Sequence, residues 1–422
     1  MVGLARSGLA AVRVLLEFGE VLATDSGAPE LPADFDALEV ELETDGIALL
    51  KRVRTIVKSP GVPRDAPVIA EGLRRGLDVI GELELGWRLL GGEFVAVTGT
   101  NGKTTTTELL GAIHREAGID VAVAGNVGTP LTALVGGPAP DVVVCECSSF
   151  QLEDAPRFAP EAALLLNLDE DHLDRHGTLA AYRKAKLSMF SRQRPVDIAC
   201  APVGIDPGGP AQRVLFGGPG AALELCDETL VWHGDPLLAT GDVRLRGAHN
   251  LENAMGAAAV ALARGIDRDA VRAGLRNFAG VEHRLEEVAE RGGVLYVNDS
   301  KATNVASAVA GIGAFDGGVH AILGGSLKGG GFDGLRRTVA ERCRAVYLIG
   351  EAADRLAADL ADTVEVRLCT DLENAVRGAA GAAAPGEVVL LSPACASFDQ
   401  FRDYEQRGER FRSAVRRLEE SS

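Results

Sequence analysis

Thr98-Gly99-Thr100-Asn101-Gly102-Lys103-Thr104-Thr105 follows the apolar run Glu93-Phe94-Val95-Ala96-Val97 and opens onto a helical stretch. A Gly-rich turn between a strand and a helix aims backbone N–H groups and the helix N-terminus at phosphate oxygens. Lys103 then stands to meet the β/γ-phosphates of a nucleotide, and the Thr104 hydroxyl to ligate Mg²⁺. The general spacing of such loops would put the first glycine at position 97, which is Val97, so this is a shorter variant. A tight glycine turn capping a helix is the alternative, and the order strand, Gly-Lys-Thr, helix speaks against it. Gly99, Thr100, Asn101, Gly102, Lys103, Thr104 and Thr105 are the candidate nucleotide contacts. Alone, the loop fits a motor, a transporter subunit or a kinase.

Moving outward, Glu146 ends the next apolar strand, Val142-Val143-Val144-Cys145. A carboxylate at a strand's C-terminal end faces the crevice where α/β sheets bind ligands, and there it can hold Mg²⁺. The following strand, Ala163-Leu164-Leu165-Leu166, runs into Asn167-Leu168-Asp169-Glu170-Asp171-His172-Leu173-Asp174. Acids packed with a histidine suggest a cation site with mixed O and N ligands, or simply a solvated turn. Lys186 follows on a helix, in Tyr182-Arg183-Lys184-Ala185-Lys186.

Apolar runs alternate with amphipathic stretches nearly throughout, which predicts an α/β chain with mostly parallel sheets. Its 422 residues suggest about three domains at roughly 150 residues each. Residues 1–81, 82–280 and 281–422 are the expected units. Val294-Leu295-Tyr296-Val297 reads as the first strand of the last unit, and 201–220 as loops and short strands in the middle one. No run of 18 apolar residues appears, so no membrane span is expected, and the interrupted apolar N-terminus reads as a domain opening, not a signal peptide. The net charge of -17 argues against a nucleic-acid partner, although a pocket on an acidic protein can still be basic. The seven cysteines show no metal or redox spacing and are expected to be reduced, in a cytoplasmic monomer.

In this order, the phosphate loop, the Glu146 segment, Glu170-Asp171-His172 and the Lys186 helix resemble the Mur ligase family. His249-Asn250-Leu251-Glu252-Asn253 resembles its adenine-proximal motif. Glu282-His283-Arg284-Leu285-Glu286, Asn298-Asp299-Ser300-Lys301-Ala302-Thr303-Asn304 and Leu391-Ser392-Pro393-Ala394-Cys395-Ala396-Ser397-Phe398 resemble the D-glutamate-adding branch. The resemblance covers essentially the whole chain. It implies a Rossmann-like UDP-binding domain, a central P-loop ATPase-like domain and a Rossmann-like C-terminal domain. It also implies an ATP-dependent ligase that joins D-glutamate to UDP-MurNAc-L-Ala through an acyl phosphate.

By the same resemblance, Thr104 and Glu146 match ligands of one Mg²⁺, and His172 a ligand of a second. Lys186 matches a lysine whose CO₂-derived carbamate supports that second ion. Asn253, Arg284 and Asp299 match adenine and ribose contacts, and Lys301 a residue near the phosphates; Lys103, His172, Lys186 and Lys301 are the implied catalytic set. Asn126 matches a muramoyl contact, while Thr303, Lys328, Ser397 and Phe398 match the D-glutamate pocket.

Near the front, Gly3-Leu4-Ala5-Arg6-Ser7-Gly8 lacks the middle glycine of a dinucleotide fingerprint, so a dehydrogenase is a weak reading. In the family, Arg6, Ser7, Gly8, Asp25, Ser26, Ser59 and Gly61 match UDP contacts. This sequence departs from the family in two places. Only Met1 and Val2 precede Gly3 where the family has a full strand, and Ser326 replaces an Asp two positions before Lys328.

Overall fold

Phe94, Val95, Ala96 and Val97 are all buried, because Glu93–Thr98 lies inside a nine-stranded sheet. Its order is 235–239, 229–232, 223–226, 212–216, 198–202, 162–165, 93–98, 142–146, 121–125. Pairing is parallel from 121–125 through 223–226 and antiparallel over the last strands at the far edge. A strand covered on both faces is apolar along most of its length, not alternately, which is why 93–98, 142–146, 162–165 and 198–202 read as nearly continuous runs, while the outer strands 212–216 and 223–226 do not.

The computed structural model describes residues 1–35, 38–171, 173–327 and 331–418. The chain forms two compact units, Met1–Val243 with Glu252–Phe278, and Arg244–Leu251 with Ala279–Ser422. In the first unit, a small parallel sheet precedes the large one. Leu22–Asp25 pairs with Glu39–Leu42, and Thr55–Lys58 with Asp78–Gly81. Val2 bridges Thr24 on one side and Lys58 on the other, linking the two strand pairs. Lys58, at the end of its strand, is buried against Asp154 at 2.5 Å, and Arg64 meets the same carboxylate at 3.1 Å. The Gly81 N–H also donates to the Asp154 carbonyl at 2.6 Å.

The second unit holds a six-stranded sheet ordered 286–291, 294–298, 388–391, 319–324, 343–349, 365–368. Val297, Leu323, Val346, Leu348 and Leu390 pack on one face, and Tyr296, Ile322, Tyr347, Ile349 and Leu391 on the other. Each such side chain contributes about 1.5–3 kcal/mol on burial. The first strand of this unit is Glu286–Arg291, antiparallel to Val294–Asn298, and not Val294-Val297 as the sequence suggests. Its residues are half-buried or exposed, so its charges hide it from an apolar search. The mostly parallel α/β architecture is as expected. All seven cysteines are free, and no helix among the described residues is long and apolar enough to cross a membrane.

Candidate active site

The phosphate loop leaves the buried strand Glu93–Thr98 and enters the helix Lys103–Glu116. Gly102 turns the chain with φ +82°, and a Cβ there would sit 2.0 Å from Asn253 Oδ1. Glycine is therefore required both by the left-handed backbone and by the asparagine packed against it. Thr104 and Thr105 are buried in the first turn. A threonine run is a modest helix former, and burial against the sheet overrides that preference; Thr107 Oγ donates back to Lys103 O at 2.8 Å. Lys103 Nζ folds over the loop, donating to Gly99 O and Thr100 O at 3.0 Å each.

The loop's outer wall is pinned by the next strand's exit. Asn101 N donates to Asn167 Oδ1 at 2.8 Å, and Asn167 Nδ2 returns a bond to Asn101 O at 3.2 Å. Thr100 Oγ1 accepts from Asp169 N at 3.0 Å and lies 3.0 Å from the Tyr182 hydroxyl. The sequence motifs alone give neither Asn167 nor Tyr182 a role. Asn167 has a local signal, since it lies just past the C-terminal end of the strand Ala162–Leu165 beside the loop; nothing local marks Tyr182.

Glu146 is buried at the end of Val142–Glu146 and accepts from Asn126 Nδ2 at 2.9 Å. The backbones meet as well, Asn126 N donating to Glu146 O at 2.9 Å. Two candidates from separate motifs are thus one constellation. After the strand, Ser148 forms a capping box with Gln151 for the helix Ser149–Glu153, and Ser149 Oγ meets His176 Nε2 at 3.0 Å.

Lys186 is buried on the helix Leu179–Leu187, donates to Gly99 O at 2.6 Å, and stands 4.7 Å above the Tyr182 ring. Burial first, and the nearby Lys103 charge second, lower its pKa to about 7. Much of the amine is then neutral near pH 7, unlike an ordinary surface lysine. His172 lies outside the described residues. Among those described, no group of three or more His, Cys, Asp or Glu could hold a metal. Glu146 and Thr104 offer hard oxygen donors beside a phosphate loop, which fits Mg²⁺, an ion that takes much of its shell from phosphate and water.

In the small N-terminal sheet, Gly8 opens toward Gly3: a Cβ on Gly8 would lie 1.9 Å from Gly3 O. Ser59 Oγ donates to Gly3 O at 2.9 Å and lies 3.4 Å from Ser7 Oγ. Asp25 accepts from Leu4 N at 2.7 Å and from Gly27 N at 2.9 Å. Gly8, Ser7, Ser59 and Asp25 therefore converge on one turn, with Arg6, Ser26 and Gly61 exposed around it.

In the second unit, Asp299 is buried, accepting from Ser392 Oγ at 2.8 Å and Leu285 N at 3.3 Å. Burial, opposed by those hydrogen bonds and by Arg284, raises its pKa to about 7. The Arg284 Nε is buried without a hydrogen-bond partner among the described residues. Lys301 lies over the Tyr404 ring at 5.3 Å, Thr303 is half-buried beside it, and Ser397 is buried. Phe398, by contrast, is 71% exposed. Ser326 Oγ, in the family's aspartate position, accepts from Asp399 N at 2.9 Å. Lys328 lies outside the described residues.

The Mur ligase middle domain matches residues 97–206, and the Mur ligase glutamate ligase domain residues 283–395. A ligase of Acidobacterium capsulatum, UDP-N-acetylmuramoylalanine--D-glutamate ligase, is 42% identical over 98% of this chain and 95% of its own. A protein of the same name from Anaeromyxobacter dehalogenans is 43% identical, over 98% and 96%. The chain belongs to the Mur ligase family. Solved Mur ligase structures share the fold. UDP-N-acetylmuramate-alanine ligase MurC of Thermotoga maritima aligns with a TM-score of 0.65 at 17% identity, covering 100% of this chain and 99% of that one. MurF ligase of the same organism, solved with ADP, gives 0.60 at 17%, covering 98% and 93%. Like the family, this Mur ligase is an ATP-dependent enzyme.

Proposed function

We propose that the enzyme joins D-glutamate to UDP-MurNAc-L-Ala, with ATP, in peptidoglycan precursor synthesis in the cytoplasm. The observation that carries this is 42% identity to a D-glutamate ligase across 98% of the chain. In this reading residues 1–81 bind the UDP-linked substrate, 82–280 bind ATP, and 281–422 receive the amino acid. A monomer suffices for it.

The substrate carboxylate attacks the γ-phosphorus of ATP, releasing ADP and leaving an acyl phosphate. The D-glutamate amine then attacks the acyl carbon, loses a proton, and phosphate departs as the amide forms. Three tasks fall to this chain. The loop N–H groups and Lys103 meet the charge that develops on the transferring phosphoryl group. Thr104 and Glu146 would hold Mg²⁺, which supplies charge neutralisation between the two anions, and Asn126 fixes the Glu146 carboxylate. Lys186, with its amine partly neutral, is suited to carry a carbamate that exchanges a cation for an anion, with His172 nearby in sequence for a second ion. Asn253, Arg284 and Asp299 are assigned to the adenosine, Lys301 to the phosphates, and Thr303, Lys328 and Ser397 to D-glutamate.

ADP release measured with ATP, UDP-MurNAc-L-Ala and a panel of amino acids tests the proposal. D-glutamate should stimulate it, and L-glutamate, D-alanine and meso-diaminopimelate should not. Equal turnover with any of those would overturn the acceptor assignment.

A further inference from the structure

Arg407 is among the largest fully buried side chains in the protein. It projects from the helix Tyr404–Arg417, whose N-cap Asp403 accepts from Gln406 N at 2.7 Å. Nε donates to Ser300 Oγ at 3.0 Å. One terminal nitrogen donates to Ser300 O at 2.8 Å and Cys395 O at 3.1 Å. The other donates to Ala396 O at 3.2 Å and, more distantly, Gly324 O at 3.5 Å. The five N–H groups of a guanidinium thus meet five oxygens, a planar match that the three donors of an ammonium cannot reproduce.

Those oxygens belong to the exits of adjacent strands. Ser300 follows Val294–Asn298, Cys395 and Ala396 follow Val388–Leu391, and Gly324 ends Val319–Gly324. Carboxyl ends of neighbouring parallel strands are where open α/β sheets receive ligands. The loops approach so closely that a Cβ on Gly325 would lie 2.1 Å from Ala396 O and 3.1 Å from an Arg407 nitrogen. No carboxylate among the described residues forms an ion pair with Arg407, although Asp399 is near enough to favour its charge in part. Its pKa falls, through burial, to about 10, so it stays a cation at neutral pH. A buried charge balanced mainly by carbonyl dipoles is costly, and an anion bound nearby would relieve that cost.

We propose that Arg407 is a positioning residue for the acceptor amino acid. It ties together the loops that carry Lys301, Thr303, Ser326 and Ser397, and it leaves beside them a positive potential that Asp399 offsets only in part. This rests on the D-glutamate reading above.

The test is steady-state kinetics on the full-length enzyme with Arg407→Lys, varying each substrate in turn, alongside thermal melts. KM for D-glutamate should rise about ten-fold or more, clearly more than KM for ATP, while KM for UDP-MurNAc-L-Ala stays within about three-fold. Arg407→Ala should recover part of its D-glutamate affinity with added guanidinium and none with ammonium. Ser300→Ala, which removes a single bond to the guanidinium, should give a smaller rise in the same KM and decides the matter if neither Arg407 variant folds. A folded Arg407→Lys, or Ser300→Ala, with an unchanged KM for D-glutamate would overturn the proposal, as would equal losses for all three substrates. Wild-type enzyme indifferent to D-glutamate would instead refute the acceptor assignment.

Discussion

Asp154 is flanked by Lys58 at 2.5 Å, fully buried, and by Arg64 at 3.1 Å, whose side chain is 42% exposed. Burial pulls the Lys58 pKa down more than Asp154 holds it up, so the pair is no simple gain in stability. Removing one member is a different matter from removing both. Asp154→Asn strands the Lys58 ammonium in the interior and should cost about 3–5 kcal/mol. Lys58→Met leaves Asp154 with Arg64, so the loss should be smaller, about 1–3 kcal/mol. The double variant Lys58→Met/Asp154→Leu buries no stranded cation and should cost less than the two single changes added together. Urea unfolding followed by the fluorescence of Trp87, on the neighbouring helix Glu82–Leu89, measures all three. Melting temperatures should fall by roughly 2–4 °C for each kcal/mol. If Lys58→Met proves as damaging as Asp154→Asn, or the double variant is additive, the reasoning about the pair is wrong.

Gly8→Ala drives a methyl to within 1.9 Å of Gly3 O; competition by UDP against UDP-MurNAc-L-Ala should weaken about ten-fold or more, while ATP affinity holds. Lys186→Ala should lose most activity yet still bind ATP, and acetate should restore part of the rate; rescue by methylamine but not by acetate would show that the site needs a cation. Asp299 has a folded pKa of about 7, above its unfolded value, so the folded state holds the extra proton and this group's contribution to stability declines as pH rises from about 4 to about 7. Asp299→Asn should flatten that decline in pH-dependent melts, and a parallel slope in both proteins would count against it.

Much of this architecture could be read from the chain because fully buried parallel strands must be apolar throughout: 93–98, 142–146, 162–165, 319–324 and 388–391 all announce themselves this way. Glu286–Arg291 did not, being an antiparallel edge strand carrying Glu286, Glu287, Glu290 and Arg291, a pattern that serves a helix surface equally well. The phosphate loop was legible for a related reason: Gly102 and Lys103 are constrained by local backbone geometry, which leaves a local signature. Tyr182 and Arg407 act through partners distant in sequence, so no spacing rule reveals them. Phe398, the motif residue matched to the D-glutamate pocket, presents its side chain to solvent.

The anchors of the phosphate loop also bear on how the chain is synthesised. Glu93–Thr98 finds its sheet neighbours at 142–146 and 162–165, and the loop is then held by Asn167, Asp169, Tyr182 and Lys186. Contacts this far apart in sequence form slowly, because chain closure must precede any reward. A growing polypeptide released only as far as residue 146 thus carries every letter of the nucleotide motif without its shape. Retention of a stalled nascent chain on immobilised ATP should switch on only after the segment through Lys186 has emerged, which makes the nucleotide cradle a built-in reporter that strands 93–98, 142–146 and 162–165 have paired.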